Sequence, residues 1–195
     1  MEALRCLFAE PDELSGREIA RRTGLSHLII HKALGELEAE GIVERRVAPP
    51  AHQFQLNRKH WVVSGCLAPL FQKEAAWPEH LGDRIRQGAP KAAASIIFFG
   101  SLAAGKLAPR SDIDVLVLVR EKAQEEEVRR HFQDLSGKVY SAFGHPLSVL
   151  VMTEGDLLEQ YRTGKRFARD IAYSGRVIHG RLLTEVLFQN AAKKD

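Results

Sequence analysis

Two acidic residues separated by one position, Asp112 and Asp114, stand at the start of an apolar run, Ile113–Val119. Side chains alternate between the two faces of a β-strand, so these carboxylates project to the same side. Neighbouring carboxylates repel each other, and a hard divalent cation relieves that repulsion. Mg²⁺ suits such a site, because it takes one or two carboxylates together with phosphate oxygens and water. The pattern therefore predicts a metal site for one or two Mg²⁺.

A Gly-Ser turn precedes the acidic pair and supplies groups that can bind phosphate. Gly100-Ser101 ends a second apolar run, Ala93–Phe99, whose β-branched and aromatic residues are typical of a buried strand. Glycine lets another backbone approach closely, and the amides that open the following short helix can bind a phosphate group. A phosphate cradle beside a two-carboxylate metal site is suited to in-line phosphoryl or nucleotidyl transfer.

The segment FFGSLAAGKLAPRSDIDVLVLV resembles the motif of polymerase-β-type nucleotidyltransferases, a Gly-Ser turn followed after ten residues by Asp-x-Asp at a strand start. Within that family it is similar to the minimal nucleotidyltransferase branch. The downstream segment HPLSVLVMTEGDLLEQYRTGKRFARDIAYSGRVIHG is similar to the ending of that branch, so the resemblance covers residues 91–181. It implies Mg²⁺-dependent transfer of a nucleoside monophosphate from a nucleoside triphosphate to a protein or small-molecule acceptor.

The resemblance also implies roles for individual residues. The residues it assigns are Asp112 and Asp114 as catalytic and metal-binding carboxylates, and Gly100, Ser101, Lys106 and Arg110 as the nucleotide-binding group. Lys106 and Arg110 lie in the loop between the two motifs. They either neutralise phosphate charge or are solvated loop cations.

One departure from the family pattern concerns a third carboxylate, which active members carry on a later strand beside the first two. The corresponding strand is predicted at Pro146–Met152, has no acidic residue and carries Ser148 at the expected place. Glu154 and Asp156 follow as substitutes, although the run TEGD is typical of a helix start, where acids complement the helix dipole. Without a third acid, Mg-nucleotide binding could survive while transfer becomes slow. An alternative is therefore a transcriptional regulator whose degenerate nucleotidyltransferase domain senses nucleotide without turnover.

The first third of the chain shows a different pattern, in which short helices are followed by two strands. Ser15 is predicted to cap the helix Gly16–Arg22, and Ser26 the longer helix His27–Glu40. Apolar residues recur along the longer helix at helical spacing, so one of its faces is predicted to pack on a core. The predicted strands are Ile42–Val47 and Gln53–Leu56.

This order of elements is the layout of a winged helix-turn-helix, and the segment SGREIARRTGLSHLIIHKALGELEAEGIVERR resembles MarR- and ArsR-like transcription regulators. In such a motif the second helix enters the major groove of double-stranded DNA, and the wing reaches phosphates or the minor groove. The DNA-contacting residues would be Ser26, His27, Leu28, His31, Lys32, Arg45 and Arg46. A homodimer is usual for such regulators. Winged helices also serve as protein-docking modules, so that role stays open.

Composition and charge exclude several classes of protein. A chain of 195 residues with 45% hydrophobic and 27% charged residues has the usage of globular domains, unlike a disordered chain or a disulfide scaffold. The net charge of +3 is too small to prove a nucleic-acid partner. No apolar run is long enough to span a bilayer, and the two cysteines fit no metal motif. We therefore expect a cytoplasmic protein with reduced thiols and no membrane partner.

The predicted fold has two domains, a mainly helical winged helix-turn-helix with a β-wing and an α/β nucleotidyltransferase domain with a mixed, mainly antiparallel sheet. The predicted boundaries are 1–62 for the winged helix-turn-helix, 63–90 for connecting helices, 91–181 for the nucleotidyltransferase domain and 182–195 for a C-terminal helix and tail.

Overall fold

The computed structural model describes residues 1–106 and 111–188 and divides the chain into two compact units. The first unit covers Met1–Ala76 and the second begins at Trp77, so the division falls inside a long helix, α4 (Ala68–Gln87). A π-helical turn, Val63–Leu67, precedes α4. Among the helices in these ranges, none has the length and apolar character needed to cross a membrane.

The first unit packs helices against a small antiparallel sheet. Its elements are α1 (Glu2–Ala9), β1 (Leu14–Ser15), α2 (Gly16–Thr23), α3 (His27–Ala39), β2 (Val43–Arg46) and β3 (Gln53–Leu56). The strand order is β1-β3-β2, and β2 and β3 form a hairpin in which Val43 pairs with Leu56 and Arg46 with Gln53. The apolar side of α3, with Ile30 and Leu34 buried, faces the core, as its helical spacing predicted.

Side-chain caps set where α2 and α3 begin. The Ser15 hydroxyl accepts a hydrogen bond from the backbone N–H of Glu18 at 3.2 Å, and the Ser26 hydroxyl accepts one from Ile29 at 3.3 Å. Gly24 ends α2 with φ +70°, a left-handed conformation that glycine adopts without strain. Both predicted caps are thus confirmed. The two-residue strand β1 was not predicted, because two residues are too few to show alternation.

The second unit is a layered α/β structure. After α4 its elements are β4 (Ala93–Phe98), α5 (Gly100–Ala103), β5 (Ile113–Val119), α6 (Glu125–Phe143), β6 (Leu147–Thr153), α7 (Glu154–Arg162), α8 (Arg166–Ser174), β7 (Arg176–Gly180) and α9 (Leu183–Phe188). The sheet order is β6-β5-β4-β7, with β5 and β6 parallel and the other pairs antiparallel. The predicted mixed, mainly antiparallel sheet is therefore confirmed.

Strand β5 is buried on both faces, and this explains why its sequence is a continuous apolar run. Val115 and Val117 pack in the cluster that includes Phe132 of α6. Leu116 and Leu118 pack in a second cluster on the other face, with residues of α7, α8 and α9. A strand with helices on both sides loses the alternation of a half-buried strand. Asp114, two positions before Leu116, projects from the same face of the sheet as Leu116.

Candidate functional site

The end of β4 and the start of β5 meet at one edge of the sheet of the second unit. Phe98 pairs with Val115 in the antiparallel ladder, and the N–H of Phe99 donates to the carbonyl of Asp114 at 3.1 Å. Gly100 follows immediately, with φ +64°, and begins α5. The ladder thus brings together two motifs that are apart in sequence, the Gly-Ser turn and the acidic pair.

The carboxylate of Asp114 rests directly against the backbone of Gly100. A Cβ at Gly100 would overlap Asp114 Oδ2 and would lie 3.1 Å from Asp114 Cγ. The positive φ and the close approach each require glycine at this position. The sequence predicted that Gly100 lets another backbone approach closely, whereas the group that approaches in the structure is the Asp114 side chain.

The acidic pair carries an unfavourable charge. Asp112 is exposed and Asp114 is half-buried. Burial, and after it the negative charge of Asp112, raise the pKa of Asp114 above the ordinary aspartate value. Other described carboxyl groups have a lowered pKa because each accepts hydrogen bonds. They are Glu13, Glu18, Glu74 and Asp156. A cation bound between Asp112 and Asp114 would offset their repulsion.

The parallel ladder places Ser148 directly beside Asp114. The register pairs Asp114 with Ser148 and Ile113 with Leu147. Partners in adjacent strands project to the same face, so the exposed Ser148 side chain lies on the same side of the sheet as the Asp114 carboxylate. A hydroxyl therefore stands where active nucleotidyltransferases are expected to carry a third acid.

Glu154 and Asp156 lie at the opposite end of β6 and cannot replace that acid. Asp156 forms a capping box with Thr153, which begins α7, and Glu154 Oε2 accepts from Arg181 at 2.9 Å. Six strand positions separate Glu154 from Ser148, about 20 Å along the sheet. The interpretation of TEGD as a helix start is confirmed. Within residues 1–106 and 111–188, no cluster of three His, Cys, Asp or Glu side chains is arranged to hold a metal ion.

Lys106 and Arg110 are the two loop cations that the sequence assigned to nucleotide binding, and the structure describes only Lys106. The backbone N–H of Lys106 donates to the carbonyl of Ser101 at 2.8 Å, and the Lys106 side chain is exposed. This bond closes the turn that follows α5. Arg110 lies outside the described residues.

Sequence reasoning missed His145, between α6 and β6, whose Nδ1 lies 2.8 Å from the carbonyl oxygen of Ser111. Ser111 immediately precedes Asp112. The contact depends on the parallel pairing of β5 and β6, so no local pattern in the sequence signals it.

The residues proposed to contact DNA are all exposed on the first unit. His27, His31 and Arg45 line one groove of about 510 Å³, together with Arg17. Three of the seven residues have carboxylate partners that sequence reasoning did not assign. The pairs are Arg45–Glu38 at 3.0 Å, Lys32–Glu36 at 4.0 Å, and Arg46–Glu13, in which Arg46 Nε donates to both carboxylate oxygens at 2.9 and 2.7 Å.

Comparison with known proteins bears on the second unit. Residues 87–182 match the family model described as Polymerase beta, Nucleotidyltransferase. This part of the chain is a nucleotidyltransferase-like domain. It contains both strands of the acidic site, the Gly-Ser turn and the strand that carries Ser148. No curated protein matches the chain.

Solved structures share weaker similarity. The crystal structure of a toxin-antitoxin with AMP-PNP has 16% sequence identity to this chain and a TM-score of 0.36. The structure of a mutant of the toxin-antitoxin MntA-HpeT has 14% sequence identity and a TM-score of 0.39. Each match covers 59% of this chain and 84% of the other chain. The PcaV transcriptional regulator from Streptomyces coelicolor, in complex with its natural ligand, has 22% identity and a TM-score of 0.30, covering 47% of this chain and 72% of that one. Similarities this low bear on neither the activity nor the partners of the chain.

The contact between Gly100 and Asp114 predicts a difference between two glycine substitutions. Gly105 has φ +66°, and no described atom lies within 4 Å of the position that an added methyl group would take, so Gly105→Ala tests the backbone cost alone. We expect Gly105→Ala to lower the free energy of unfolding by about 1–2 kcal/mol, and Gly100→Ala to lower it by a further ~1–3 kcal/mol because Asp114 must move. Urea unfolding measures both. Equal losses would show that the carboxylate does not rest on Gly100.

The raised pKa of Asp114 predicts a pH-dependent stability. The fold favours the neutral carboxyl, so that contribution is present below the ordinary aspartate pKa and is lost as the pH rises through the folded-state pKa. We expect Asp114→Asn to raise the melting temperature by about 1–3 °C at about pH 8 and to change it little at about pH 3. The exposed Asp134 on α6 provides the control, since Asp134→Asn should change little at either pH. A destabilising Asp114→Asn at high pH would mean that the fold favours the charged carboxylate instead.

Proposed function

We propose that the second unit is a Mg²⁺-dependent nucleotidyltransferase that transfers a nucleoside monophosphate from a nucleoside triphosphate to a hydroxyl of a protein or small-molecule acceptor. One observation carries this proposal. Asp114 rests on Gly100 and Asp112 comes two residues before Asp114, within a region that matches the nucleotidyltransferase family model. Crowded carboxylates next to a glycine turn are the arrangement that the transfer of a phosphate group needs.

The carboxylates of Asp112 and Asp114 are suitable ligands for Mg²⁺. Carboxylate oxygens are hard ligands, and Mg²⁺ in nucleotide sites is commonly held by one or two carboxylates, with phosphate oxygens and water completing its shell. Asp112 and Asp114 would supply those carboxylates. The raised pKa of Asp114 means that, among the described residues, burial and repulsion outweigh any compensation of its charge, which supports a bound cation as its partner.

The reaction would break the phosphoanhydride bond between the α- and β-phosphates and form a phosphate ester with the acceptor. An acceptor oxygen attacks the α-phosphorus of the nucleotide, the bond from that phosphorus to the bridging oxygen breaks, and pyrophosphate leaves with the electron pair. The acceptor proton passes to water, because Ser148 stands where a carboxylate base would be. Bound Mg²⁺ would neutralise part of the negative charge on the phosphates. Gly100, Ser101, Lys106 and Arg110 would hold the phosphates.

Ser148 supports a second proposal for the same domain, a nucleotide sensor without turnover. The serine at this position leaves the acidic pair without a third carboxylate on β6, and Glu154 and Asp156 are too far along that strand to serve. Such a domain would bind the Mg-nucleotide complex and transfer its nucleoside monophosphate slowly or not at all. A regulator that responds to nucleotide would then be the function.

Labelled nucleotides test the enzyme proposal. The purified chain is incubated with each of the four α-³²P nucleoside triphosphates, Mg²⁺ and a cell extract as acceptor source. We expect label on a protein or small molecule, and its loss in Asp112→Asn and Asp114→Asn, which keep the side-chain shape and remove the charge. Calorimetry with α,β-methylene-ATP, in which the bond to be broken is replaced, measures binding alone. Absence of both label and Mg²⁺-dependent binding would overturn both proposals for this domain.

Restoring an acid at position 148 separates the enzyme from the sensor. Ser148→Asp places a carboxylate beside Asp114, and Ser148→Asn is the neutral control of the same shape. If the missing acid limits transfer, we expect Ser148→Asp to raise the labelling rate by about 10²-fold or more, as a positioned base contributes. An unchanged rate despite intact nucleotide binding would favour the sensor.

We also propose that the first unit is a winged helix-turn-helix that binds double-stranded DNA, as a homodimer. The arrangement of α2, the Gly24 turn, α3 and the β2–β3 hairpin supports this proposal. The exposed surface beside the groove carries Arg17, His27, His31 and Arg45. A phosphate backbone would compete with Glu38 for Arg45 and with Glu13 for Arg46.

The ion pairs of the first unit predict that removing carboxylates strengthens DNA binding. We expect Glu13→Gln and Glu38→Gln each to raise affinity for a random-sequence duplex about two- to fivefold at about 50 mM salt, with a smaller gain at about 200 mM. Fluorescence anisotropy measures both. Glu79→Gln, which removes the same charge from an exposed pair with Arg176 in the second unit, is the control. Absence of duplex binding at the lower salt would favour a protein-docking module.

A further inference from the structure

His145 holds the backbone that carries Asp112. Its Nδ1 lies 2.8 Å from the carbonyl oxygen of Ser111, and because a carbonyl only accepts, Nδ1 must carry the hydrogen. On the other side of Asp112, the N–H of Ile113 donates to the carbonyl of Pro146 at 2.8 Å. The consecutive residues His145 and Pro146 therefore hold the chain immediately before and after Asp112.

The imidazole is itself held in place by an aromatic contact. The ring of His145 stacks on the indole of Trp77, with centroids 5.6 Å apart and planes 4° from parallel. Trp77 also lies 6.0 Å from the ring of Phe143. All three residues belong to the second unit. The stack fixes the plane of the imidazole, and the hydrogen bond to Ser111 requires that plane.

Asp112 needs this support more than Asp114 does. Asp114 lies within β5, where the ladder and the contact with Gly100 fix it. Asp112 comes one residue before β5 and is exposed. The peptide between Ser111 and Asp112 sets the direction of the Asp112 side chain, and the carbonyl of that peptide is the group that His145 binds.

We propose that His145 is a positioning residue for the metal site. Through the Nδ1–H hydrogen bond to Ser111 it orients Asp112, and it thereby raises the affinity for the Mg-nucleotide complex. The inference rests on the proposed nucleotide-binding function of the second unit. His145 acts through Asp112, so its effect belongs to the part of nucleotide binding that depends on the cation.

Two substitutions of His145 by amide residues distinguish the positioning of Asp112 from a general contribution of His145 to stability. In Asn the amide nitrogen is two bonds from Cβ, like Nδ1 of histidine, whereas in Gln it is three bonds away. His145→Asn therefore keeps a donor for Ser111, and His145→Gln moves it. His179→Gln in β7 is the matched control at another histidine of the second unit.

Calorimetry of the full chain with α,β-methylene-ATP, in Mg²⁺ and in EDTA, gives the readout. We expect His145→Gln to weaken binding in Mg²⁺ about three- to tenfold, the value of one hydrogen bond, while His145→Asn and His179→Gln stay within about twofold of wild type. Binding in EDTA should be the same for all four proteins. Equal binding by wild type and His145→Gln in Mg²⁺, or equal weakening by Asn and Gln, would overturn the inference. A wild type without Mg²⁺-dependent binding would instead refute the proposed function.

Tryptophan emission tests the same contact without changing His145. The chain has two tryptophans, and Trp61 is 79% exposed, so Trp61→Phe leaves Trp77 as the single reporter. We expect saturating Mg²⁺ and α,β-methylene-ATP to change the Trp77 emission, because Trp77, His145, Ser111 and Asp112 form a continuous chain of contacts. Unchanged emission at a saturation verified by calorimetry would count against the role of His145, even if His145→Gln does not fold.

Discussion

The carboxylate of Asp114 lies against the bare backbone of Gly100, and the candidate site depends on this contact. It exists because β4 and β5 are antiparallel neighbours, so the end of one strand meets the start of the other. Both strands have buried apolar residues on their two faces, so the sheet is covered on both sides beside this contact. The close approach half-buries a charge that the neighbouring Asp112 repels, and the pKa of Asp114 rises accordingly.

The acidic pair differs from described carboxylates that have an arginine partner, such as Glu13 and Glu38 in the first unit and Glu154 in the second. In the first unit, Glu13 and Glu38 pair with arginines of the β2–β3 hairpin, and arginine hydrogen bonds lower the pKa of Glu13. In the second unit, Asp112 and Asp114 are separated by one residue, and burial and the charge of Asp112 raise the pKa of Asp114. A carboxylate with an arginine partner has its charge compensated within the fold. The carboxylates of Asp112 and Asp114 repel each other, and a bound cation would reduce that repulsion. This contrast is the physical reason to look for a ligand at the acidic pair.

The register of β5 and β6 determines which side chains lie beside the acidic pair. It sets Ser148 beside Asp114, and it also brings the His145-Pro146 segment against the residues around Asp112. One parallel ladder therefore gives the pair a hydroxyl neighbour instead of a third acid and holds the backbone of its first member. The proposed binding of a Mg-nucleotide complex and the proposed effect of Ser148 on transfer both depend on this register.

The sequence alone was enough to predict the strands of the acidic site, the caps of α2 and α3, and the nucleotidyltransferase-like region, because these features depend on residue type and short spacing. Ile113–Val119 was predicted with the bounds it has, since the interior of this buried strand, Val115–Val119, is apolar throughout. The ion pairs of Arg45 and Arg46, the exclusion of Glu154 and Asp156 and the contact of His145 with Ser111 were decided by the tertiary structure. Each depends on how helices and strands pack or pair in the fold, which joins residues whose separation along the chain carries no local signal.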